Sequence, residues 1–274
     1  MKLTINTSVE LNNGVKMPIL GLGTWKITGK NAINSVKWAL EAGYRHIDTA
    51  RLYNNETQIG IAINESDISR ENIFITTKVW DSDQGYQSTI KALDRSLKRL
   101  NTPYVDLYLI HWPRKNTRIE TWKALEKIYK EGKARAIGVS NYWIHHLQEI
   151  KDSFTIIPFI NQFELNPFLY RKELINFCRK NDILIEAYSP LTHGRKLDYS
   201  LIETIASKYN KSVPQILIRW GLQHEFIEIP KSSKKEHIIQ NSLVFDFDLD
   251  KEDMYKLDNL DEKYQHLYDT SKWD

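Results

Sequence analysis

Apolar residues along this chain follow two alternating patterns. The first is a short run rich in β-branched and aromatic residues, which is typical of a buried strand. It occurs eight times, at 18–25, 44–48, 72–80, 104–112, 134–141, 156–164, 183–190 and 226–232. The second is a longer segment with one polar face, which predicts a helix. It lies between the strands, at 29–43, 55–66, 86–100, 118–132, 143–152, 170–181 and 200–213.

This alternation of strands and helices predicts the fold. Strands that alternate with helices at this spacing form right-handed βαβ units with parallel strands. Eight such units without a break in composition predict one α/β domain over residues 1–274, a (β/α)8 TIM barrel. Ahead of it, two alternating runs flank Asn12-Asn13-Gly14 within residues 8–20. They predict a β-hairpin that closes the bottom of the barrel, with Asn-Gly supplying the positive φ angles of the turn.

The alternative architecture is a doubly wound sheet that binds a dinucleotide. Its first strand would be followed by the sequence G-x-G-x-x-G. Here "GLGTWK" (21–26) has two of the glycines and then Lys26 in place of the third. The sequence therefore favours the barrel.

Composition narrows the classes of function. The chain is 41% apolar and 27% charged, as in soluble globular proteins, and its net charge of +3 gives no argument for binding nucleic acid. The single cysteine, Cys178, excludes a disulfide within the chain and favours a reducing compartment. The sequence shows neither a signal peptide nor a run of eighteen apolar residues. We therefore expect a cytoplasmic protein with neither a nucleic-acid nor a membrane partner.

Polar side chains follow the predicted strands at the end where a barrel places its active site. Asp48, Lys78 and His111 end or follow three consecutive apolar runs, and Tyr53 comes five residues after Asp48. Any one of these has an ordinary structural explanation, such as a helix cap, a lysine that reaches solvent or a histidine satisfied in the core. Their recurrence at consecutive strand ends instead predicts that the barrel gathers them at one mouth.

These four residue types together suit the reduction of a carbonyl group. Tyrosine is a weak acid with a reference pKa of about 10, and a neighbouring ammonium such as Lys78 favours its ionised form. Asp48 can supply the counter-charge that a buried lysine needs. His111 can then hydrogen-bond a carbonyl oxygen and hold it toward the phenol of Tyr53. No serine or cysteine nucleophile accompanies His111, and the histidines lack metal-ligand spacing, so we expect no metal.

Eight ordered motifs resemble one known family. The chain is similar to the aldo-keto reductases, in a microbial form with a short C-terminal tail, over nearly its whole length. The matching stretches are "PILGLGTW" (18–25), "GYRHIDTARLYNNE" (43–56), "TTKVW" (76–80), "DLYLIHWP" (106–113), "GVSN" (138–141), "NQFE" (161–164), "AYSPL" (187–191) and "IPKS" (229–232). The resemblance implies that Tyr53 is the acid, that Asp48 and Lys78 tune it, and that His111 orients the substrate.

The resemblance also implies a nicotinamide cofactor, NADPH with NADH possible, extended across the mouth. The cofactor-binding residues that it implies are Gly23, Thr24, Trp25, Asp48, Ser140, Asn141, Gln162, Tyr188, Ser189, Pro190, Leu191, Lys231, Ser232, Ser233, His237 and Asn241. Within this set, Ser140, Asn141 and Gln162 would hold the carboxamide, and Tyr188 would stack under the nicotinamide. The substrate-binding residues that it implies are Trp25, Tyr53, Trp80, His111 and Trp112.

Three departures from the family pattern concern the cofactor and the pocket. His237 stands where members that favour NADP usually have arginine, and Gln240 stands where an acidic residue is usual. The short polar tail predicts a more open and less selective pocket.

The sequence thus predicts a monomeric enzyme that uses NADPH to reduce aldehydes and some ketones to alcohols. Two alternatives stay open. One is a sugar or keto-acid reductase with the same mechanism, and the other is a non-catalytic barrel with a cofactor-sensing or structural role.

Overall fold

The chain starts with the hairpin that the sequence predicts. The computed structural model describes residues 2–274. Strands β1 (Ser8–Glu10) and β2 (Lys16–Pro18) pair antiparallel, and of the turn residues only Gly14 has a positive φ, +81°. The expectation that Asn13 would share this conformation was wrong, because a three-residue loop needs one left-handed residue, at its end. Asn12 and Asn13 instead donate to the carbonyls of Asp182 and Arg135, at the lower ends of two barrel strands.

Eight parallel strands follow and confirm the predicted barrel. They are β3 (Leu22–Gly23), β4 (His46–Asp48), β5 (Phe74–Val79), β6 (Val105–Ile110), β7 (Ala134–Ser140), β8 (Ile160–Glu164), β9 (Leu184–Tyr188) and β10 (Ile227–Glu228), each paired with the next. Single bridges from Leu20 to Glu228 and from Gly23 to Lys231 join the first strand to the last. The hairpin thus lies at the bottom of a closed ring.

Ten helices accompany the strands of this ring. They are α1 (Gly29–Glu41), α2 (Glu56–Asn64), α3 (Tyr86–Leu100), α4 (Arg118–Lys130), α5 (Ile144–Ser153), α6 (Lys172–Lys180), α7 (Ser200–Tyr209), α8 (Val213–Gln223), α9 (Lys235–Ser242) and α10 (Lys251–Asp258) within the described residues 2–274. None of these is long and apolar enough to cross a membrane.

Helix α8 is the main difference from the predicted elements. The segment 200–213, predicted as one helix, ends at Tyr209 because Asn210 adopts a left-handed φ of +53°. The next helix then starts after its N-cap residue Ser212, whose backbone N–H donates to the side-chain oxygen of Gln215 at 2.9 Å. The apolar pattern did not predict α8, in which the eight residues from Gln215 to Leu222 are all buried.

The strand register decides which side chains enter the barrel. Partners in a parallel ladder point to the same side, and alternate residues of one strand point to opposite sides. Asp48 pairs with Thr76, and Gln162 pairs with Glu186, so these polar side chains share the interior. Close packing there requires a glycine at position 21, because a Cβ atom would stand 2.4 Å from Nδ1 of His46.

Candidate active site

Four of the predicted site residues meet at the carboxyl ends of β4, β5 and β6. Lys78 Nζ lies 2.7 and 2.8 Å from the two carboxylate oxygens of Asp48 and 2.9 Å from the carbonyl of Thr49. The same ammonium lies 3.2 Å from the hydroxyl of Tyr53, which ends a 3-10 turn after β4. The ring of His111, directly after β6, stands edge-on to the Tyr53 ring with 5.8 Å between centroids.

The Asp48–Lys78 pair is a buried ion pair. Burial lowers the pKa of Lys78, but Asp48 and Tyr53 outweigh it, so the pKa stands above its ordinary value and the ammonium stays charged. Burial raises the pKa of Asp48, against hydrogen bonds from Lys78 and Gln162 that lower it. Removing either partner would leave an uncompensated charge in the core, which is far more costly than keeping both.

The proton affinity of Tyr53 differs from the expectation that Lys78 would make the phenol more acidic. Burial is the larger influence and raises the pKa of Tyr53 to about 12, although Lys78 lowers it. The loss of hydration destabilises the phenolate of Tyr53 more than the charge of Lys78 stabilises it. Tyr53 therefore holds its proton throughout the neutral range, and Lys78 limits the rise.

His111 is neutral in this environment. Burial and then the charge of Lys78 lower its pKa well below the ordinary value. Its Nδ1 is buried and has no hydrogen-bond partner within residues 2–274. A neutral imidazole carries one N–H donor, and the tautomer decides which nitrogen bears it. The ring can therefore donate one hydrogen bond to a substrate oxygen without bringing in a second positive charge.

Aromatic rings surround these polar groups. The Trp25 ring lies 4.8 Å from that of Tyr53, and the Trp80 ring lies 5.2 Å from that of His111. Trp112 is nearly parallel to His111, with 6.3 Å between the ring centroids. The three tryptophans predicted to bind substrate are thus all brought to the mouth.

The C-terminal tail also reaches the mouth. The rings of Tyr268 and Trp273 lie 5.8 and 5.6 Å from that of Trp112, and the Thr270 hydroxyl donates to the carbonyl of Asn141 at 2.7 Å. The short polar tail was expected to leave the pocket open, and these contacts do not fit that expectation. The tail is short, yet its two aromatic residues form part of the wall.

Residues predicted to hold a carboxamide lie side by side on β7 and β8. Asn141 Nδ2 lies 3.0 Å from both the carbonyl of His111 and the hydroxyl of Ser140. Its Oδ1 accepts from the hydroxyl of Tyr188 at 2.7 Å. Asn141 would therefore have to exchange one of these bonds to hold a ligand. Gln162 differs, since both hydrogen bonds of its side chain use Nε2 and leave Oε1 available.

Residues predicted to line the pyrophosphate lie at the ends of β3 and β9. Ser189 follows β9 with a left-handed φ of +54°, and Pro190 and Leu191 come next along the chain. Across the mouth, a Cβ atom at Gly23 would stand 2.7 Å from the carbonyl oxygen of Ile229, so the backbones approach closely there. The Thr24 hydroxyl donates to the carbonyl of Asp48 at 2.8 Å and is buried. Thr24 thus supports the strand end.

Residues predicted for the adenosine end are placed less closely together. Lys231 pairs with Gly23, and Ser232 and Ser233 follow it before α9 begins. On α9, Asn241 is buried, whereas His237 is exposed and makes no side-chain hydrogen bond within the described part of the chain. His237 therefore lies on the helix that follows Lys231 to Ser233, but it makes no hydrogen bond to the lysines of this segment.

A comparison with protein families identifies the chain. The model of the Aldo/keto reductase family matches residues 19–262. The chain belongs to the aldo-keto reductase family. Among curated relatives of this aldo-keto reductase, the glyoxal reductase of Bacillus subtilis (strain 168) is 51% identical over 95% of each chain.

Solved structures agree with this membership. An aldo-keto reductase enzyme from a Medee basin deep-sea metagenome library has a TM-score of 0.95 and 46% identity, covering 97% of this chain and 100% of its own. The Bombyx mori aldo-keto reductase, solved in complex with NADP, has a TM-score of 0.92 and 34% identity, covering 98% and 97%. The barrel of this aldo-keto reductase therefore has the arrangement of its relatives.

One buried carboxyl at this site was not foreseen from the sequence. Gln162 Nε2 lies 2.7 Å from Oε2 of Glu186 and 2.8 Å from Oδ2 of Asp48. Burial and then the charge of Asp48 raise the pKa of Glu186 to about 8. The signal was present, because Glu186 interrupts the apolar run "ILIEAY" at a position that faces the interior together with Tyr188.

Of the basic groups around the loop after β9, only Lys231 was predicted from the sequence as a cofactor contact. The His193 Nε2 and the hydroxyl of Ser189 are 2.8 Å apart. Burial, together with the charges of His266, Arg195, Lys26 and Lys231, lowers the pKa of His193 to about 4. Positive charge is thus concentrated where the resemblance implies a pyrophosphate. The residues that carry it are far apart in the sequence and become neighbours only in the fold.

Proposed function

We propose that this aldo-keto reductase uses NADPH to reduce aldehydes and some ketones to alcohols. The observation that carries the proposal is the hydroxyl of Tyr53, which lies 3.2 Å from the buried ammonium of Lys78. That phenol keeps its proton at neutral pH and stands beside the neutral ring of His111. A proton donor and a hydrogen-bond donor at one aromatic mouth are the groups that carbonyl reduction requires.

The residues at the mouth fit a nicotinamide cofactor. Gln162 Oε1 is available to accept from a carboxamide, and the half-buried ring of Tyr188 offers an aromatic face beside it. Lys26, Lys231 and Arg195 bring positive charge to the loop after β9, which suits a pyrophosphate. The bound cofactor would supply the hydride for the carbonyl carbon.

The chain itself would manage the proton and the position of the substrate. His111 would donate a hydrogen bond to the carbonyl oxygen and direct it toward Tyr53. As negative charge develops on that oxygen, the Tyr53 hydroxyl would give up its proton, forming the O–H bond of the alcohol. Lys78 would stabilise the resulting phenolate, and Asp48 would keep Lys78 charged and in place.

Small aldehydes are the substrates we propose to test first. The 51% identical relative is named a glyoxal reductase, which supports a small dicarbonyl among them. The tryptophans at the mouth and the aromatic residues of the tail favour an aromatic aldehyde as well.

The test follows the loss of NADPH absorbance with the purified protein. Glyoxal, an aromatic aldehyde, a simple ketone, an α-keto acid and an aldose are compared by kcat/KM. The proposal expects the two aldehydes to rank above the aldose and the keto acid. The opposite ranking would favour a sugar or keto-acid reductase, and no oxidation with any substrate would favour a non-catalytic barrel.

A further inference from the structure

The side-chain amide of Gln162 is held by two acidic residues from different strands. Its Nε2 lies 2.8 Å from Oδ2 of Asp48 on β4 and 2.7 Å from Oε2 of Glu186 on β9. All three side chains are buried in the barrel interior. A side-chain amide has two N–H donors, so these two bonds use both of them and leave Oε1 as the remaining group.

The reverse orientation of the amide is unfavourable. Rotating it by half a turn would bring Oε1 against the carboxylate of Asp48 and leave the N–H groups facing the mouth. Asp48 is ionised through its pair with Lys78, so it would oppose an amide oxygen at hydrogen-bond distance. The chemistry of the neighbours therefore fixes which end of the amide points inward.

Glu186 is well suited to hold the amide. It pairs with Gln162 in the β8–β9 ladder, so the two side chains are neighbours on one face. Burial and then Asp48 raise its pKa to about 8, which makes it a neutral carboxylic acid at neutral pH. Its second oxygen, Oε1, lies 3.5 Å from Nε2 of His46, whose pKa of about 3 keeps that ring neutral. The proton can then reside on Oε1 while Oε2 accepts from Gln162.

Asp48 alone would fix the amide less well. Both of its oxygens already accept from Lys78, and Oδ2 is shared with Gln162. A single hydrogen bond to Nε2 leaves the amide free to turn about that contact. The second bond, to Glu186, removes this freedom.

We propose that Glu186 is a positioning residue, which holds Gln162 with Nε2 inward and Oε1 outward, so that the site accepts a hydrogen bond from the carboxamide N–H of the nicotinamide. This inference rests on the proposed function, because it concerns the same cofactor. Its consequence is selectivity for the carboxamide group itself. A cofactor that lacks the N–H but keeps the carbonyl should bind less tightly.

The test measures equilibrium binding by isothermal titration calorimetry. The ligands are NADP⁺ and its 3-acetylpyridine analogue, in which a methyl group replaces the amino group of the carboxamide. Wild-type protein should bind NADP⁺ more tightly by about three- to tenfold, the factor that one neutral hydrogen bond contributes. Glu186→Leu cannot accept from Gln162, so the ratio of the two dissociation constants should fall toward one.

Two further variants separate positioning from general damage. Glu186→Gln keeps an acceptor oxygen and should retain the wild-type ratio. Glu228→Gln is the matched control, because Glu228 is another buried carboxyl, on β10, that makes no hydrogen bond to Gln162. It should also retain the ratio. Circular dichroism reports whether each variant is folded, and Glu186→Ser, too short to reach Gln162, replaces the leucine variant if that one is not.

Two results would overturn the inference. One is equal binding of the two ligands by wild type, and the other is an unchanged ratio in a folded variant that lacks the acceptor. The proposed function fails in a different way, through absence of carbonyl reduction by wild type. Selective binding of NADP⁺ that is lost in Glu186→Leu, without reduction by wild type, would therefore uphold the role of Glu186 while rejecting the reductase.

Discussion

Tyr53 is subject to two opposing influences that together suit a proton donor. Burial raises the pKa of its hydroxyl, and the ammonium of Lys78 lowers it. If burial acted alone, the phenolate left after proton transfer would be hard to form. If the ammonium dominated, the phenol would lose its proton before a substrate arrived. The buried pair with Asp48 sets this balance because it keeps Lys78 charged at 3.2 Å from the hydroxyl.

We predict that Tyr53→Phe abolishes carbonyl reduction and leaves NADP⁺ binding nearly unchanged. A positioned general acid contributes roughly 10²- to 10⁴-fold in rate, and loss of the proposed donor should lie near the upper limit. Steady-state kcat and the dissociation constant of NADP⁺ are the measurements. Tyr255→Phe, on the exposed face of α10, is the control and should behave as wild type. Half of the wild-type kcat in Tyr53→Phe would refute the assigned role.

Preference between the two cofactors is a second property set by single residues. We predict a weak preference for NADPH that decreases as pH rises. A lysine gives charge at any working pH, whereas an imidazole titrates between about pH 5 and 8. His237→Arg should therefore increase the kcat/KM ratio of NADPH over NADH, most clearly at high pH, because arginine stays charged and can bind a phosphate through two donors.

The measurement is that ratio from pH 6 to 9 in both proteins. A charge-assisted hydrogen bond is worth about 1.5–3 kcal/mol, which corresponds to roughly tenfold or more in the ratio. Lys263→Arg, in the exposed tail segment, controls for added guanidinium charge. A ratio in wild type that is independent of pH would remove His237 from the phosphate site.

At the scale of elements, the contact between α8 and β10 depends on one glycine and one buried carboxyl. A Cβ atom at Gly221 would stand 1.6 Å from Oε1 of Glu228. Neither carboxylate oxygen of Glu228 has a hydrogen-bond partner within residues 2–274, and burial raises its pKa well above the ordinary value. Burial thus favours the neutral form of this carboxyl, which occupies the space that any larger residue at position 221 would need.

We predict that Gly221→Ala destabilises the protein although alanine is the better helix former. Alanine gains about 1 kcal/mol over glycine inside a helix, whereas overpacking a core costs about 1–3 kcal/mol. With Glu228→Ala in the background, the clash disappears, and Gly221→Ala should become neutral or stabilising. Denaturant midpoints of the four proteins in this cycle measure the coupling.

Gly60→Ala is the matched control for this cycle. Its Cβ atom would stand 2.5 Å from the backbone carbonyl of Leu100 on α3. Glu228 plays no part in that contact, so the cost of Gly60→Ala should be the same in both backgrounds. Equal costs of Gly221→Ala in the two backgrounds would instead show that Glu228 does not occupy the space beside Gly221.

These same elements show what the sequence could and could not predict. Short apolar runs that alternate with helical patterns predicted the barrel, and the ends of these runs predicted Asp48, Lys78 and His111. The role of Glu186 could not be predicted in this way, because only the register with Gln162 shows that the two side chains touch. The contacts of the tail with Trp112 could not be predicted for a related reason. The tail has no periodic pattern that indicates its position, and it contacts a residue far away in the sequence.

At the scale of the whole molecule, buried titratable groups set how stability depends on pH. Burial raises the pKa of Glu186 to about 8 and that of Glu228 well above its ordinary value. Burial lowers the pKa of His46 and of His146 to about 3, and that of His193 to about 4. Burial thus favours the neutral form of all five groups in the folded protein. The two glutamates lose a charge that the unfolded chain carries above about pH 4.3, and the three histidines lose one that it carries below about pH 6.5.

The two sets of groups predict opposite slopes in different ranges of pH. Unfolded histidines bind protons below a pKa of about 6.5 that the folded ones do not, so stability rises with pH from about 3 to 6.5. An unfolded glutamate loses its proton near pH 4.3, whereas folded Glu186 keeps it until about 8, so this carboxyl makes stability fall over that interval. The histidines and the carboxyls thus have opposite effects on stability below about pH 6.5. Above that pH, the carboxyls alone make stability depend on pH.

We therefore predict a maximum of stability at about pH 6, where the three histidines no longer outweigh the two carboxyls, and a decrease from pH 6.5 to 8. Glu186 should contribute about 2 kcal/mol to that decrease, since its pKa in the folded protein is about 8 and one pKa unit corresponds to about 1.4 kcal/mol. Glu186→Gln cannot ionise and should remove that contribution, whereas Glu71→Gln, at an exposed position, should keep the whole decrease. The thermal midpoint of the three proteins across this range is the measurement. A wild-type midpoint that stays level or rises from pH 6.5 to 8 would mean that these carboxyls are already ionised in the folded barrel, with partners that stabilise the charge.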